Sequence, residues 1–532
     1  MKAWLAGPND SVTAAVAGRL GGCTVSRSVA APPEGVDVAV YLPRRSGGWP
    51  DLEEAAAFFR AAADVPRLVV VASTAAQVPH HHNPGYVAED YRPQGENSIA
   101  GAWRELEALA PAGKTIVLRA APIAARDGGD LFSDLLSREA AVVPPGYDPA
   151  LQFLAPEDLA EAVALAAERG MPGVYNVAPR ATVPVRGALR LAGVRRVPLG
   201  WAPGGRSGYL RHNWTVSGRK IERELGFVPR QSSAEAVQAA WGRGGEAPEY
   251  DDFGLDTGYI AAYERTLFHF LHDLYWRIEY AGLENVPREG GAVLTGVHRG
   301  FMPWDGVMAL VGIHRATGRI PRFLIHPCLI KPPFLANYMT KLGGIVACQE
   351  NADWVLGRGD LLGMFPEGIH GAFTPYKSAY RLGKFGRDEY VRMALRNRVP
   401  LVPFVTVGSA EIYPILGRLD WKWVKRATEW LYLPLAPNFP FPGLPLPSKW
   451  HTRFLEPVHV ERQHGPEAAD DPEVVREISR EVRARMQSAI DGMLARRRSI
   501  FRGSIFERDE TKRGAAAPER EQLLGVREKG DF

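Results

Sequence analysis

Short apolar runs alternate with alanine-rich stretches along most of this chain, and that alternation constrains the fold more than any other feature. Up to about Gly245, Lys2 to Ala6, Val36 to Leu42, Leu68 to Ser73 and Thr115 to Leu118 predict strands, while Leu52 to Ala63 and Glu157 to Arg169 predict helices. Strands that are apolar throughout, with helices between them, specify a parallel α/β sheet covered on both faces. The polar, glycine-rich and acidic stretch from Gly242 to Gly254 interrupts the pattern and reads as a linker. The alternation then resumes, with strands expected at Ala292 to Thr295, Leu361 to Phe365 and Leu401 to Val407. A chain of 532 residues needs more than one core. The expected organisation is two α/β domains, residues 1–245 and 255–465, then a C-terminal helix within 466–506 and a disordered tail at 507–532.

Composition narrows the function classes. An apolar fraction of 46% with 23% charged residues is that of globular protein, and a formal net charge of +4 does not mark a nucleic-acid binder. Cys23, Cys328 and Cys348 lie too far apart for a metal-ligand or disulfide framework, so they read as structural thiols in a reducing compartment. The opening MKAWLAGPND lacks the apolar run of a signal peptide, and no later stretch reaches about 18 uninterrupted apolar residues. The expectation is a cytoplasmic protein whose membrane contact is peripheral, on the inner face.

Two segments carry helical periodicity. Ile260, Tyr263, Leu267, Leu271, Leu274 and Ile278 recur at steps of three and four, predicting one helix over Tyr259 to Tyr280 that packs on a core or rests at a lipid interface. Val474, Ile478, Val482, Met486, Ile490 and Met493 predict a terminal amphipathic helix ending at Arg496, Arg497 and Arg498. A third segment, WKWVKRATEWLYLPL (Trp421 to Leu435), mixes Trp421, Trp423 and Trp430 with Lys422, Lys425 and Arg426. That mixture suits a lipid interface, with core packing of some of the tryptophans the competing expectation.

The chemistry-bearing stretch is VLTGVHRGFMPWDGVMAL (Val293 to Leu310), where a strand gives way to a loop bearing His298 and Pro303 is suited to the first position of a helix. Asp305 then falls in the first helical turn, where backbone N–H groups favour a carboxylate. Joined to an imidazole, it would fix the tautomer and leave the other nitrogen to accept a proton. The strand of LLGMFPEGIHG ends in Pro366, Glu367 and Gly368, a turn at the strand edge where α/β crevices form, and RVPLVPFVTVGSAEIY supplies a further strand. In this order the blocks resemble those of the glycerolipid acyltransferase family, from about Val286 to Val460. The spacing HRGFMPWD, with six residues between His and Asp, is most similar to the monoacylglycerol and diacylglycerol acyltransferase-like branch. The resemblance implies His298 as general base, Asp305 as its orienter, and an acceptor pocket with Phe365, Pro366, Glu367 and Gly368. Where many relatives carry a phosphate-gripping arginine this chain has Gln349, and Ile369 and His370 follow the glutamate-glycine pair. A glutamine lacks the cationic fork that holds phosphate, which points to a neutral or differently charged hydroxylated acceptor. Arg322, Lys331, Lys377 and Lys384 are candidates for the donor's phosphates or are solvated surface charges.

The N-terminal blocks VVVASTAA, VLRAAPIAA, LAPEDLAEAVALA and PGVYNVAP resemble the extended short-chain dehydrogenase/reductase family, epimerase-like branch, implying a Rossmann-like sheet that binds NAD(P). The first turn, AGPNDSVTAAV, keeps only Gly7 of the phosphate-binding glycines and places Asp10 and Thr13 where others would stand. The tyrosine and lysine of such enzymes are missing near NSIAGAWRELE, and Ser73 and Thr74 alone cannot replace them, so the domain is expected to have lost redox catalysis. Arg27 is a candidate ribose-phosphate contact, and His80, His81 and His82 read as a solvated loop rather than a metal site. The whole predicts an enzyme that moves an acyl group from acyl-CoA or acyl carrier protein to a hydroxylated lipid, requiring no metal or other cofactor. Its rivals are a bifunctional NAD(P)-dependent oxidoreductase-acyltransferase and a non-catalytic lipid-binding scaffold.

Overall fold

In the computed structural model, residues 2–26, 32–92, 94–199, 205–242, 251–386, 388–439 and 443–507 are described. Arg27, residues 243–250 of the expected linker and residues 508–532 of the expected tail lie outside them. The chain divides into two units, residues 1–256 with 329–341, and residues 257–328 with 342–532.

The first unit is built on parallel strands β1 (Ala3–Ala6), β2 (Thr24–Ser26), β3 (Val38–Tyr41), β4 (Arg67–Ser73), β5 (Thr115–Ala120) and β6 (Gly173–Val177). Their order is β6-β5-β4-β3-β1-β2, so the winding direction reverses between β1 and β3. That is a doubly wound, Rossmann-like sheet. Its strands read as apolar runs because helices cover both faces, and all but the first residue of β4 are buried. Among the covering helices are α1 (Ser11–Leu20) and α2 (Pro156–Arg169), which pack on each other. The tripeptide strand β2 is too short and too exposed to show in the sequence pattern.

The second unit has a seven-stranded sheet: β7 (Glu279–Ala281), β8 (Ala292–Thr295), β9 (Arg322–Ile325), β10 (Gly344–Val346), β11 (Leu361–Met364), β12 (Leu401–Val407) and β13 (His451–Phe454). Its order is β7-β13-β12-β8-β11-β9-β10, parallel except where β12 meets β13. Helix α3 (Trp304–Thr317) follows β8, and the terminal helix α4 (Pro472–Arg496) packs on β12 and buries Val475, Ile478, Val482, Met486, Ile490 and Met493. Asp471 caps the start of α4 by accepting from Glu473 and Val474 amides, with Pro472 at the first helical position. At the other end Arg497 is buried against Glu411, which also accepts from the Tyr380 hydroxyl.

Three expectations are corrected. The helix predicted over Tyr259 to Tyr280 is broken: Thr266 leaves helical geometry, its hydroxyl bonding back to the Ala262 carbonyl, and the chain resumes as one π-turn before Trp276. Its stripe is split accordingly, with Ile260, Leu271 and Ile278 buried while Leu267 and Leu274 are exposed. The histidine run is not a solvated loop: His81 is buried, and the rings of His80, His81 and His82 lie 4.3 to 5.3 Å apart. Arg322 is not a solvated surface charge, because it occupies a buried strand position. Among the described residues no helix is long and apolar enough to cross a membrane.

Candidate active site

Strand β8 is flanked by β11 and β12, with Thr295 in register with Met364 on one side and Pro403 on the other. The loop bearing His298 and the turn bearing Glu367 therefore leave the sheet together at the carboxyl ends of neighbouring strands, where ligand crevices form in α/β sheets. The loop bends sharply through two left-handed residues, Gly300 (φ 80°) and Phe301 (φ 61°). A Cβ on Gly300 would stand 2.3 Å from the Ser409 carbonyl oxygen, so only glycine fits there. Phe301 is held in its strained backbone by rings of Phe373, Trp430 and Phe439, each about 5 Å away.

The helix begins one residue after the proline, and Asp305 is buried in its first turn. His298 Nδ1 lies 2.8 Å from Asp305 Oδ1. A carboxylate only accepts, so Nδ1 carries the hydrogen and Nε2 keeps the lone pair. Asp305 is itself fixed by backbone N–H groups, Arg299 donating to Oδ2 at 2.7 Å and Gly306 to Oδ1 at 2.9 Å. Among the described residues Nε2 of His298 makes no hydrogen bond, and the side chain retains 12% exposure. The ring rests beside Phe365 at 5.2 Å, and Phe365 in turn stacks on Phe323. That aromatic wall has room because β11 contributes Gly363, whose absent Cβ would meet the Phe323 ring at 2.4 Å.

Glu367 is buried, and both its oxygens are engaged: Arg299 Nη1 donates to Oε2 at 2.6 Å, while Arg299 Nη2 (3.1 Å) and the Gly383 amide (2.6 Å) donate to Oε1. Arg299 also donates to the carbonyls of His298, Ala379 and Arg381. This guanidinium, next to His298 in sequence, thus ties the His298 loop to the Pro366–Glu367–Gly368 turn. Sequence reasoning passed over it, and the only signal would have been a cation adjoining the histidine. Gly368 starts the following short helix at φ 55°. Gln349 follows β10, three strand spacings or roughly 14 Å from β8 along the same edge, and its amide donates to Asp353. Lys377 and Lys384 are exposed, Lys331 is half-buried, and His370 belongs to the short helix after the turn. Burial pushes the Cys348 thiol up to about 12, which keeps it unreactive near neutrality.

Residues 277–407, which hold these groups, match the family model described as Acyltransferase. The uncharacterized protein Rv0502 of Mycobacterium tuberculosis is 37% identical over 259 residues, covering 48% of this chain and 72% of that protein. The chain belongs to the acyltransferase family. A second relative of this acyltransferase, the uncharacterized protein ML2427 of Mycobacterium leprae, is 36% identical over 259 residues, 48% of this chain and 70% of that protein. Among solved structures, MoeE5 in complex with UDP-glucuronic acid and NAD is 17% identical with a TM-score of 0.38, over 46% of this chain and 99% of that one. The UDP-N-acetylglucosamine 4-epimerase from Bacillus cereus is 14% identical with a TM-score of 0.37, over 45% and 98%. Nothing functional rests on likeness of that degree.

In the first unit, Gly7 lies in the turn after β1, packed against Leu42 and Thr13. The N-terminus of α1, where a dinucleotide's pyrophosphate would need free amides, is capped by two carboxylates. Asp10 accepts from the Thr13 amide at 2.8 Å, and Asp127 accepts from both the amide and the hydroxyl of Ser11. Burial pushes Asp127 up, but the Ser11 bonds outweigh it and leave the carboxyl below its usual range. These residues do not fit a pyrophosphate. The Ser73 hydroxyl is likewise engaged, accepting from the Ala75 amide.

Proposed function

We propose that this acyltransferase moves a fatty acyl group from acyl-CoA or acyl carrier protein to the hydroxyl of a lipid acceptor. The observation that carries the reading is the 2.8 Å His298–Asp305 contact at the carboxyl edge of the sheet, inside the segment matching the family. Nε2 of His298 removes the acceptor's hydroxyl proton, and the oxygen attacks the thioester carbonyl. The tetrahedral intermediate then collapses, expelling the thiolate, which takes the proton back from the imidazolium. Asp305 holds the ring and stabilises its charged form. The wall of Phe365 and Phe323 suits an acyl chain beside the imidazole. Phe365, Pro366 and Gly368 border the acceptor pocket, and Glu367 shapes it through Arg299. With Gln349 in place of a phosphate-binding arginine, the acceptor is a hydroxylated lipid without a phosphate at that position.

The first unit is read as a domain without hydride transfer, because carboxylates stand where a pyrophosphate would bind and the tyrosine-lysine pair is missing. The full-length protein, incubated with labelled acyl-CoA and a total lipid extract, should yield a labelled ester identifiable by mass spectrometry. His298→Ala should lower turnover by about two to four decades with the fold intact. Near-normal turnover in that variant would remove the general-base assignment, and NAD(P)H consumption by the full-length chain would restore the bifunctional reading.

A further inference from the structure

The segment between β12 and β13 carries an exposed apolar face that no part of the proposed reaction uses. Trp421 is 45% exposed, Trp423 66%, Leu416 70% and Leu444 68%. Single exposed side chains of this kind are ordinary, but two tryptophans exposed side by side form a patch. Trp421 and Trp423 stack on each other at 5.9 Å and flank the start of a short helix, Lys422–Thr428, which is anchored by the buried Val424. Apolar side chains are also exposed on the broken helix before β7, where Phe270 and Leu274 are 49% and 59% exposed. Phe270 stacks on Tyr275, whose hydroxyl donates to the Pro445 carbonyl beside Leu444.

Charge decides what kind of partner fits. Arg418, Lys422, Lys425 and Arg426 are exposed around the tryptophans against the acids Asp420 and Glu429, a local cationic excess in a chain whose formal net charge is only +4. Asp420 is already engaged by Lys425 at 2.9 Å and Arg418 at 3.4 Å. Tryptophan presents an apolar body with a polar edge, and lysine and arginine extend past it, so the combination matches the headgroup region of an anionic bilayer.

We propose that this face, centred on Trp421 and Trp423, seats the protein on an anionic lipid surface. The seat is linked to the candidate active site: Trp430, just past the short helix, packs at 4.9 Å on Phe301 in the His298 loop. The aromatic cluster of Phe301, Phe373 and Trp430 thereby joins the segment that carries the seat to the loop that carries the imidazole.

The test is flotation of the full-length protein with phosphatidylcholine vesicles, with and without phosphatidylglycerol. Wild type should partition at least about tenfold more onto the anionic vesicles, with loss in high salt and a blue shift of tryptophan emission. Trp421→Ser with Trp423→Ser, and separately Lys422→Glu with Arg426→Glu, should each lower partitioning by about tenfold or more with an unchanged thermal transition, since these side chains are exposed. His298→Ala should bind vesicles as wild type does, so failure of docking and failure of the catalytic assignment are read independently. Wild type that ignores both vesicle types, variants that float equally well, or a tryptophan variant whose only change is loss of a dimer would each overturn the proposal.

Discussion

Removing the carboxylate of Glu367 isolates the contribution of the clamp between the His298 loop and the turn after β11. Arg299 and Glu367 side chains are 1% and 4% exposed and joined by two hydrogen bonds of 2.6 and 3.1 Å. Their charge centres stand roughly 4 Å apart, which at an effective dielectric near 20 corresponds to about 4 kcal/mol of attraction. Glu367→Ala leaves the guanidinium buried with carbonyl partners alone, so the expected loss of stability is about 3 to 5 kcal/mol. That is a large share of the ~5 to 15 kcal/mol typical of a domain. Arg299→Ala strands the Glu367 carboxylate and also removes the donor to the carbonyls of His298, Ala379 and Arg381. Together the two single variants and the double variant form a cycle with an expected coupling of about 3 kcal/mol. Hydrogen exchange at β8 and β11 amides under native conditions reads this in the unit concerned, whatever the first unit does. The variants should also lose turnover, because the carbonyl of His298 is one of Arg299's acceptors. A coupling below about 1 kcal/mol would refute the reasoning, since it would mean the pair is screened or replaceable in place.

Two further outcomes follow from neighbouring geometry. Gly363→Ala should destabilise the second unit by about 1 to 3 kcal/mol and depress turnover, because its Cβ would displace the Phe323 ring that supports Phe365; adding Phe323→Leu should recover the stability in urea melts, and a harmless Gly363→Ala would contradict the packing. Burial holds His451 down at about 4 against an ordinary 6.5, so the unfolded chain takes up its proton first and the second unit should lose roughly 3 kcal/mol as pH falls from 6.5 to about 4. Urea midpoints measured across that range should flatten in His451→Phe, and a wild-type midpoint that does not move would exclude the linkage.

The sheets were legible because their strands are buried on both faces and stand out as apolar runs, as in Leu68 to Ser73 and Leu401 to Val407. Two short strands were not: Thr24–Ser26 is three residues long and exposed at a sheet edge, and His451–Phe454, though paired on both sides, follows a proline-rich stretch with no periodic signal. The meeting of His298 and Asp305 did not follow from their spacing alone, since a histidine and an aspartate seven residues apart are common in any sequence; the ordered blocks that resemble the acyltransferase family pointed to it. The Arg299–Glu367 pair could not be anticipated, because it joins positions 68 residues apart that only the pairing of β8 with β11 brings together. Periodicity also misjudged Tyr259 to Tyr280, since a hydroxyl bonding its own helix is a local competition that a hydrophobic stripe does not record. The three tryptophans of Trp421 to Trp430 divided: Trp430, beyond the helix Lys422–Thr428, went into an aromatic cluster, while Trp421 and Trp423, at the start of the helix that Val424 anchors, stayed exposed.

Residues 329–341 lie in the middle of the segment matching the family, yet they are grouped with the first unit, where Phe334 donates its amide to the Gly146 carbonyl and Lys341 lies 3.6 Å from Asp148. The division between the two units is therefore not a single cut along the chain. A gene cut near residue 256 would leave the Phe334 amide and the Lys341 ammonium in the separated fragment without the Gly146 and Asp148 partners that hold them.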